Sequence, residues 1–375
     1  MRIVLLFPVV VLACGSKANP SFDGAMSSPD TTIVPSTDVP RGPDLARNVD
    51  LPFTYATWPG DSTVVVANTK NLFGANVSGL VYEPANETAL AILWAVQNEP
   101  SKIHKLVWNG STYARVAADG WVTGKSLRYP GGKGSPDSEG LTRTDWTGSE
   151  MYVVAERDND AKEVPRQSIL RYDLTGTKGV LDATQEWNLT DDLPAFAANS
   201  GLEGIAWLPD PYMVGQGFFD EAKQAPYDPT GYPNHGAGLF VVGVDVTGVL
   251  YVYALDHVDG TFTRVATFSS QQAHSVDLTF DRDNGTLWSL CDNHCNGRMT
   301  LFDIETDVLA ATYGRFVLRA TVPPPAALKN MNNEGFAMAP EAECENNRKA
   351  VVWTDDGETS GYSLRKGGIA CGRLY

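Results

Sequence analysis

Ser138-Glu139-Gly140-Leu141 is the stretch that decides the fold, because close copies of it recur along the chain. Gly201-Leu202-Glu203-Gly204-Ile205 and Asn332-Asn333-Glu334-Gly335-Phe336 repeat it, and two looser copies begin at Ser78 and Ser275. Aligned on the glutamate, the copies stand at positions 78, 139, 203, 276 and 334. Recurrence at a nearly constant period is the sequence signature of a repeat architecture.

Each repeat reads as short β-strands separated by turns, and the second repeat, with segments at 139–143, 150–155, 168–173 and 184–188, shows four of them. The pattern predicts an all-β protein, a β-propeller of four-stranded antiparallel blades. Five blades are visible, and a sixth would be present if the irregular third repeat, with its insertion at 217–238, hides one. Too little chain follows Glu334 for a full repeat, so we expect an N-terminal strand near Thr54 or Val64 to close the ring.

The N-terminal region has the features of an export signal. Arg2 precedes an apolar run over 3–13, which predicts a signal peptide over 1–13. The small residue before Cys14 is similar to a lipoprotein cleavage box, in which Cys14 is lipidated; the alternative is an ordinary signal peptide. Residues 14–50 are predicted to be a flexible tether and 51–375 a single propeller domain. We therefore expect an outer-membrane or cell-surface lipoprotein, or otherwise a secreted or periplasmic protein, with a lipid anchor as its sole membrane attachment.

Cysteine usage agrees with export. The chain has five cysteines, and if Cys14 carries lipid, four remain. Their order suggests the local disulfides Cys291–Cys295 and Cys344–Cys371, although other pairings are open. An oxidising compartment favours disulfides over a zinc site at 291–295. N-glycosylation sequons stand at Asn76, Asn86, Asn109, Asn188 and Asn284. They would matter only in a eukaryotic secretory pathway, which competes with the lipoprotein interpretation.

The formal net charge of −16 argues against a nucleic-acid partner, which would require a basic surface. It also repels anionic substrates unless a bound cation inverts the local field. We expect a monomer whose partner is a small ester or phosphate substrate or a ligand of the cell envelope.

Acidic residues recur at corresponding positions of the repeats. In a four-stranded meander, the first strand lines the channel and the second runs back beside it, so the start of one and the end of the other share a face. Carboxylates from several repeats should therefore meet at one channel mouth, where a cation would neutralise them. The sequence predicts a Ca²⁺ site with the candidate ligands Glu139, Glu203, Glu334, Glu156, Asp277, Asp292 and Asp355. The alternative is structural: the glycine allows a tight turn, and the glutamate caps backbone N–H groups.

Two further residues are candidates for catalysis. His274, just before the fourth repeat motif, is a candidate general base, and Arg157 is a candidate for holding a phosphate or carboxylate. Residues 136–140 lack the first glycine of a nucleophile elbow and lead into a predicted strand, where that elbow needs a helix. This favours metal-activated water over an acyl-enzyme.

The Ser-Glu-Gly-Leu motif at 138–141, the Tyr-Val-Val-Ala-Glu-Arg segment at 152–157 and the copies at 202–207 and 332–337 together resemble the bacterial family called "esterase-like activity of phytase". The resemblance covers roughly 70–375. It implies an exported β-propeller related to Ca²⁺-dependent propeller phytases, with the three repeated glutamates facing the channel. The chain departs from that pattern at Ser78 and Val276, where glutamate would stand.

These observations together predict an exported Ca²⁺-dependent hydrolase of phosphate or carboxylic esters, which uses metal-activated water at the channel mouth. One alternative is a non-catalytic propeller of the cell envelope that binds a ligand or protein and contains a structural Ca²⁺. A second alternative is a Ca²⁺-dependent lactonase.

Overall fold

Five β-sheets arranged in a ring form the described part of the chain, which confirms the predicted all-β propeller and sets the number of blades at five. The structure, a computed structural model, describes residues 52–375. The predicted signal peptide (1–13), the lipidation site Cys14 and the tether (14–50) lie outside these residues. No helix within 52–375 is long and apolar enough to span a membrane.

The blades follow one another along the chain, and each is described from its innermost strand at the channel to its outermost strand. Blade 1 contains Val77–Glu83, Ile92–Gln97, Lys102–Trp108, Lys125–Arg128 and Val180–Asp182, with Tyr113–Arg115 also paired to its third strand. Blade 2 contains Pro136–Thr142, Glu150–Asp158, Pro165–Asp173 and Gln185–Asn188. Blade 3 contains Leu202–Pro209, Gly238–Val244, Val249–Leu255 and Phe262–Ser269. Blade 4 contains Asp277–Asp281, Thr286–Leu290, Met299–Ile304, Phe316–Val322 and Phe53–Thr54. Blade 5 contains Phe336–Met338, Arg348–Thr354, Leu364–Ala370 and Val65–Val66.

The N-terminal segment closes the ring, as predicted. Val65–Val66 pairs antiparallel with Leu364–Ala370 and becomes the outer strand of blade 5. Phe53–Thr54 adds a parallel strand to the outside of blade 4, next to Phe316–Val322. The first and last parts of the described chain are therefore joined by backbone hydrogen bonds, and the ring has no open end.

The irregular third repeat is one decorated blade rather than two. Between its first two strands lie the helix Asp210–Gly215 and, within the insertion, a two-stranded hairpin of Phe219–Asp220 and Ala225–Pro226. Short 3₁₀-helices in the described chain cover Asn159–Ala161, Pro229–Gly231, Asp245–Thr247, Asn293–Cys295, Ala326–Leu328, Glu341–Glu343 and Thr359–Gly361. The two predicted disulfides, Cys291–Cys295 and Cys344–Cys371, are both formed.

Glycine at the repeat motif lets neighbouring blades touch at the channel. The innermost strands contact one another in chain order, and the fifth contacts the first. A Cβ added at Gly140 would lie 2.4 Å from the carbonyl oxygen of Glu203, and one at Gly335 would lie 2.3 Å from that of Ser78. Side chains cannot occupy such positions, so the glycine of each motif serves the approach of two blades rather than a turn.

The hydrophobic core lies between the blades, where the faces of adjacent sheets pack together. Tyr152 of blade 2 packs against Phe240 of blade 3 with 4.6 Å between ring centroids. Trp288 of blade 4 packs against Phe336 of blade 5 at 5.5 Å. Large aromatic side chains contribute much of the buried apolar surface in such layers, so the blade interfaces hold the innermost strands in place around the channel.

Candidate functional site

The repeated glutamates lie at one end of the innermost strands. Glu139 is within Pro136–Thr142, Glu203 is the second residue of Leu202–Pro209, and Glu334 precedes Phe336–Met338 by two residues. Antiparallel pairing places Pro136 opposite Asp158, so Glu156, near the end of the second strand of blade 2, comes to the same face. The starts of the innermost strands and the end of this second strand therefore lie on one face, as predicted.

Three buried carboxylates of blade 2, which we call the acidic cluster, stand closest together. Oxygens of Asp137, Glu139 and Glu156 all lie within 4.8 Å of one another, and each side chain is buried. The cluster opens into a cavity of about 280 Å³, whose lining side chains are all polar: Asn76, Asn98, Glu99, Asp137, Glu139, Glu156, Arg157, Asn199, Glu203, Glu334 and Asp356. The cavity, which we call the acidic cavity, thus brings together the repeated glutamates of blades 2, 3 and 5.

Short polar side chains connect these carboxylates. Ser78 Oγ donates to Glu139 at 2.8 Å and lies 3.3 Å from Glu334. Asn98 Nδ2 donates to Glu139 at 3.1 Å, and Asn332 Nδ2 donates to Glu334 at 2.6 Å. The residue that replaces glutamate in the first repeat is therefore within hydrogen-bond distance of the glutamates of the two neighbouring blades.

Burial raises the pKa values of Glu139, Glu203 and Glu156, which line the acidic cavity. The pKa of Glu139 is well above its usual range because of burial first, and then because of the nearby charges of Asp137, Glu156 and Glu334. Burial and neighbouring carboxylates likewise raise the pKa of Glu203 well above its usual range. For Glu156, burial raises the pKa to about 8. Carboxyls in such a site either hold protons or require a cation.

Several buried amide oxygens near the carboxylates have no hydrogen-bond partner among the described residues. They include Oδ1 of Asn98 and Oδ1 of Asn332, whose Nδ2 groups donate to Glu139 and Glu334. An unpaired buried oxygen is unfavourable, and amide oxygens are ordinary ligands of Ca²⁺. The donor set is thus made of oxygens and fits a hard cation.

Three of the predicted metal ligands lie outside the acidic cavity. Asp277 accepts the backbone N–H of Phe336 at 2.7 Å, so it joins blades 4 and 5. The carboxylate of Asp292 accepts from the backbone N–H and Nδ1 of His294. Asp355 accepts from the backbone N–H of Thr359 at 2.9 Å. These carboxylates cap backbone groups or pair locally, which was the structural alternative for the repeated acids.

The two predicted catalytic residues have different surroundings. Arg157 lines the acidic cavity, with its Nε 2.6 Å from Asp137 Oδ2. His274 does not line it: its Nδ1 is 2.8 Å from Asp245 Oδ1, and its ring stacks on that of His294 with 4.4 Å between centroids. The structure therefore brings Arg157, but not His274, to the carboxylates.

Asp137 is the member of the acidic cluster that the sequence prediction missed. It stands two residues before Glu139 in the same strand, and residues two apart in a strand share a face. That alternation was the signal that could have identified it. Asn76 and Asn199 precede innermost strands in loops, and no spacing in the sequence distinguishes them from other loop asparagines.

No protein-family model and no curated protein matches this chain. Among solved structures, the chain is similar to Myxococcus xanthus glutaminyl cyclase, with a TM-score of 0.42 and 10% identity over 82% of this chain and 93% of that one. A chain of the Mitotic Checkpoint Complex has a TM-score of 0.37 and 11% identity, over 91% of this chain and 99% of that one. A chain of a Nidogen/Laminin Complex has a TM-score of 0.34 and 12% identity, over 78% of this chain and 83% of that one. The fold and the site define a five-bladed β-propeller with a buried acidic cluster at one channel mouth.

Proposed function

We propose that the protein is an exported hydrolase of phosphate or carboxylic esters that depends on Ca²⁺ bound at the acidic cluster. The observation that carries the proposal is the approach of three buried carboxylates, Asp137, Glu139 and Glu156, whose oxygens lie within 4.8 Å of one another. Like charges at this separation in a buried site repel one another strongly. A divalent cation would turn that repulsion into attraction.

The choice of Ca²⁺ follows from the donor chemistry. Ca²⁺ takes six to eight oxygen ligands from carboxylates, amide carbonyls and water, whereas zinc and copper sites use imidazole or thiolate. The acidic cavity offers carboxylates and asparagine amides, and neither histidine nor cysteine is among its lining residues. The unpaired oxygen of Asn98 is a candidate additional ligand.

The lining residues supply the remaining functions of a hydrolase. Bound Ca²⁺ would polarise an ester oxygen and lower the pKa of a coordinated water. Arg157 is placed to hold an anionic group of the substrate, since its guanidinium lines the cavity beside Asp137. Glu203 lines the cavity without belonging to the acidic cluster. A cation bound nearby would favour its ionised form, and we assign that carboxylate the acceptance of a proton from the attacking water.

Metal binding is tested first, on the full chain freed of metal by chelation. We expect one Ca²⁺ per chain, a rise in Tm on adding Ca²⁺, and release of protons on binding at pH 7, because carboxyls with raised pKa values must ionise. Glu139→Gln should reduce all three effects. Glu163→Gln, at an exposed position, is the matched control. Equal stabilisation by Ca²⁺ in both variants would contradict the metal site.

Hydrolysis is tested with p-nitrophenyl phosphate, p-nitrophenyl acetate and a γ-lactone. A Ca²⁺-dependent turnover that Glu203→Gln lowers at least 100-fold, while Ca²⁺ remains bound, would support the hydrolase. Turnover of the lactone alone would point to the lactonase.

A non-catalytic propeller with a structural Ca²⁺ is the second candidate, and one observation favours it: Arg157, which would hold the anionic group of the substrate, is already paired with Asp137. Stoichiometric Ca²⁺ with no turnover of any ester or lactone would select this candidate.

A further inference from the structure

A second cavity lies toward the other end of the innermost strands. Its volume is about 280 Å³, and every blade contributes to it, through Leu80, Leu141, Trp207, Phe280 and Met338 among others. It shares no lining residue with the acidic cavity. On the strand Pro136–Thr142, Asp137 and Glu139 line the acidic cavity, and Leu141 and Thr142 line this one. We call it the apolar cavity.

Arg282 is the cation of the apolar cavity. Its guanidinium carbon lies 4.3 Å from the ring centroid of Trp146 and 5.0 Å from that of Trp207. Its N–H groups donate to the backbone carbonyls of Arg143 and, at 3.2 Å, Thr144. These contacts fix the guanidinium between two indole faces, so its position does not depend on a carboxylate.

No carboxylate in the range 52–375 pairs with Arg282. Asp281 is engaged by Lys349 Nζ at 2.9 Å, Asp283 is exposed at the rim, and Asp145 accepts backbone N–H groups of its own turn. Burial lowers the pKa of Arg282 to about 10, so the side chain remains charged at neutral pH. Asp145 attracts the guanidinium through space without forming an ion pair with it. A half-buried cation that has no ion-pair partner is unfavourable, and a bound anion would offset this cost.

We propose that the apolar cavity is a binding site for a small organic monoanion, with its apolar body among the side chains of the five blades and its anionic head on Arg282. The volume is near the lower end of that found for small-molecule pockets, about 300 to 1,000 Å³, which limits the ligand to a small one. The net charge of −16 repels anions from the protein as a whole, so Arg282 has to supply the selectivity. This inference does not depend on the proposed hydrolase.

The test is calorimetric titration of the full chain with octanoate, and with 1-octanol and octylamine as probes of equal chain length. Octanoate should bind, octylamine should not, and 1-octanol should bind at least tenfold more weakly than octanoate, which is about 1.4 kcal/mol. Arg282→Met should weaken octanoate binding at least tenfold. Arg128→Met, at an exposed position outside the cavity, should leave it unchanged.

A second variant guards against a folding defect, because Arg282 also holds two backbone carbonyls. Ala342 lines the apolar cavity from an exposed position, so Ala342→Phe narrows the cavity without burying new volume in the core. It should weaken octanoate binding at least fivefold. Equal binding of the three probes, no binding of octanoate to the wild type, or unchanged octanoate affinity in Ala342→Phe would each overturn the proposal.

Discussion

Replacing Gly140 by alanine should destabilise the propeller more than a surface substitution can. The added Cβ would lie 2.4 Å from the carbonyl oxygen of Glu203 and 3.1 Å from the Cα of Gly204. Both contacts are with backbone of the next blade, and real Cβ atoms essentially never approach heavy atoms closer than 3.0 Å. The two innermost strands must therefore separate by about 0.6 Å or more, at a cost near the upper end of overpacking penalties, about 3 kcal/mol.

Urea unfolding followed by circular dichroism measures this cost. A loss of about 3 kcal/mol corresponds to a Tm lower by about 4 °C for a domain of this size. Gly179→Ala is the matched control, because a Cβ at Gly179 meets nothing within 4 Å. That variant should change the free energy of unfolding by about 0.5 kcal/mol or less. If Gly140→Ala costs no more than the control, the explanation of the glycine by blade contact is wrong.

Three further predictions concern stability. Burial lowers the pKa of His104 to about 3. The free energy of unfolding should therefore be highest above pH 6.5 and should fall by up to about 5 kcal/mol as the pH falls toward 3. His104→Gln should flatten the curve of unfolding free energy against pH in that window. Removing the Cys344–Cys371 disulfide, which closes a loop of 27 residues, should lower the free energy of unfolding by about 3.5 kcal/mol. Removing Cys291–Cys295, which closes a loop of 4, should lower it by about 2 kcal/mol. Equal losses on paired Cys→Ala substitution would contradict the loop-length argument. Asp277→Ala leaves the backbone N–H of Phe336 unpaired and should lower the free energy of unfolding in urea by about 1 to 3 kcal/mol. Stabilisation by Ca²⁺ should be unchanged in this variant. Loss of that stabilisation would indicate that Asp277 is a metal ligand.

Much of the fold could be predicted because the repeated blades of a propeller are visible as repeated motifs in the sequence. The Glu-Gly motifs fixed the blade positions, and the short final repeat indicated that an N-terminal strand closes the ring. The details of closure could not be predicted. Val65–Val66 and Phe53–Thr54 are two-residue strands, and such short pairings depend on the edge that a neighbouring blade offers rather than on their own sequence.

The candidate site was predictable in part, for a similar reason. Strand periodicity and topology place Glu139, Glu203, Glu334 and Glu156 at one mouth, and the structure agrees. Side-chain direction is a local property that the repeat does not determine. Asp277 occupies the glycine position of its motif, so its side chain meets the backbone of the next blade instead of the acidic cavity.

The two departures from the repeated glutamate give the acidic cavity its uneven distribution of charge. Ser78 places one hydroxyl within hydrogen-bond distance of the glutamates on both sides of it, and Val276 is buried in the apolar core. Five glutamates around so narrow a ring would add two more buried charges, each unfavourable without a partner. Blade 2 instead carries the whole acidic cluster. A cation held there would contact the ring from one side and leave the side of Glu203 and Glu334 open to a substrate.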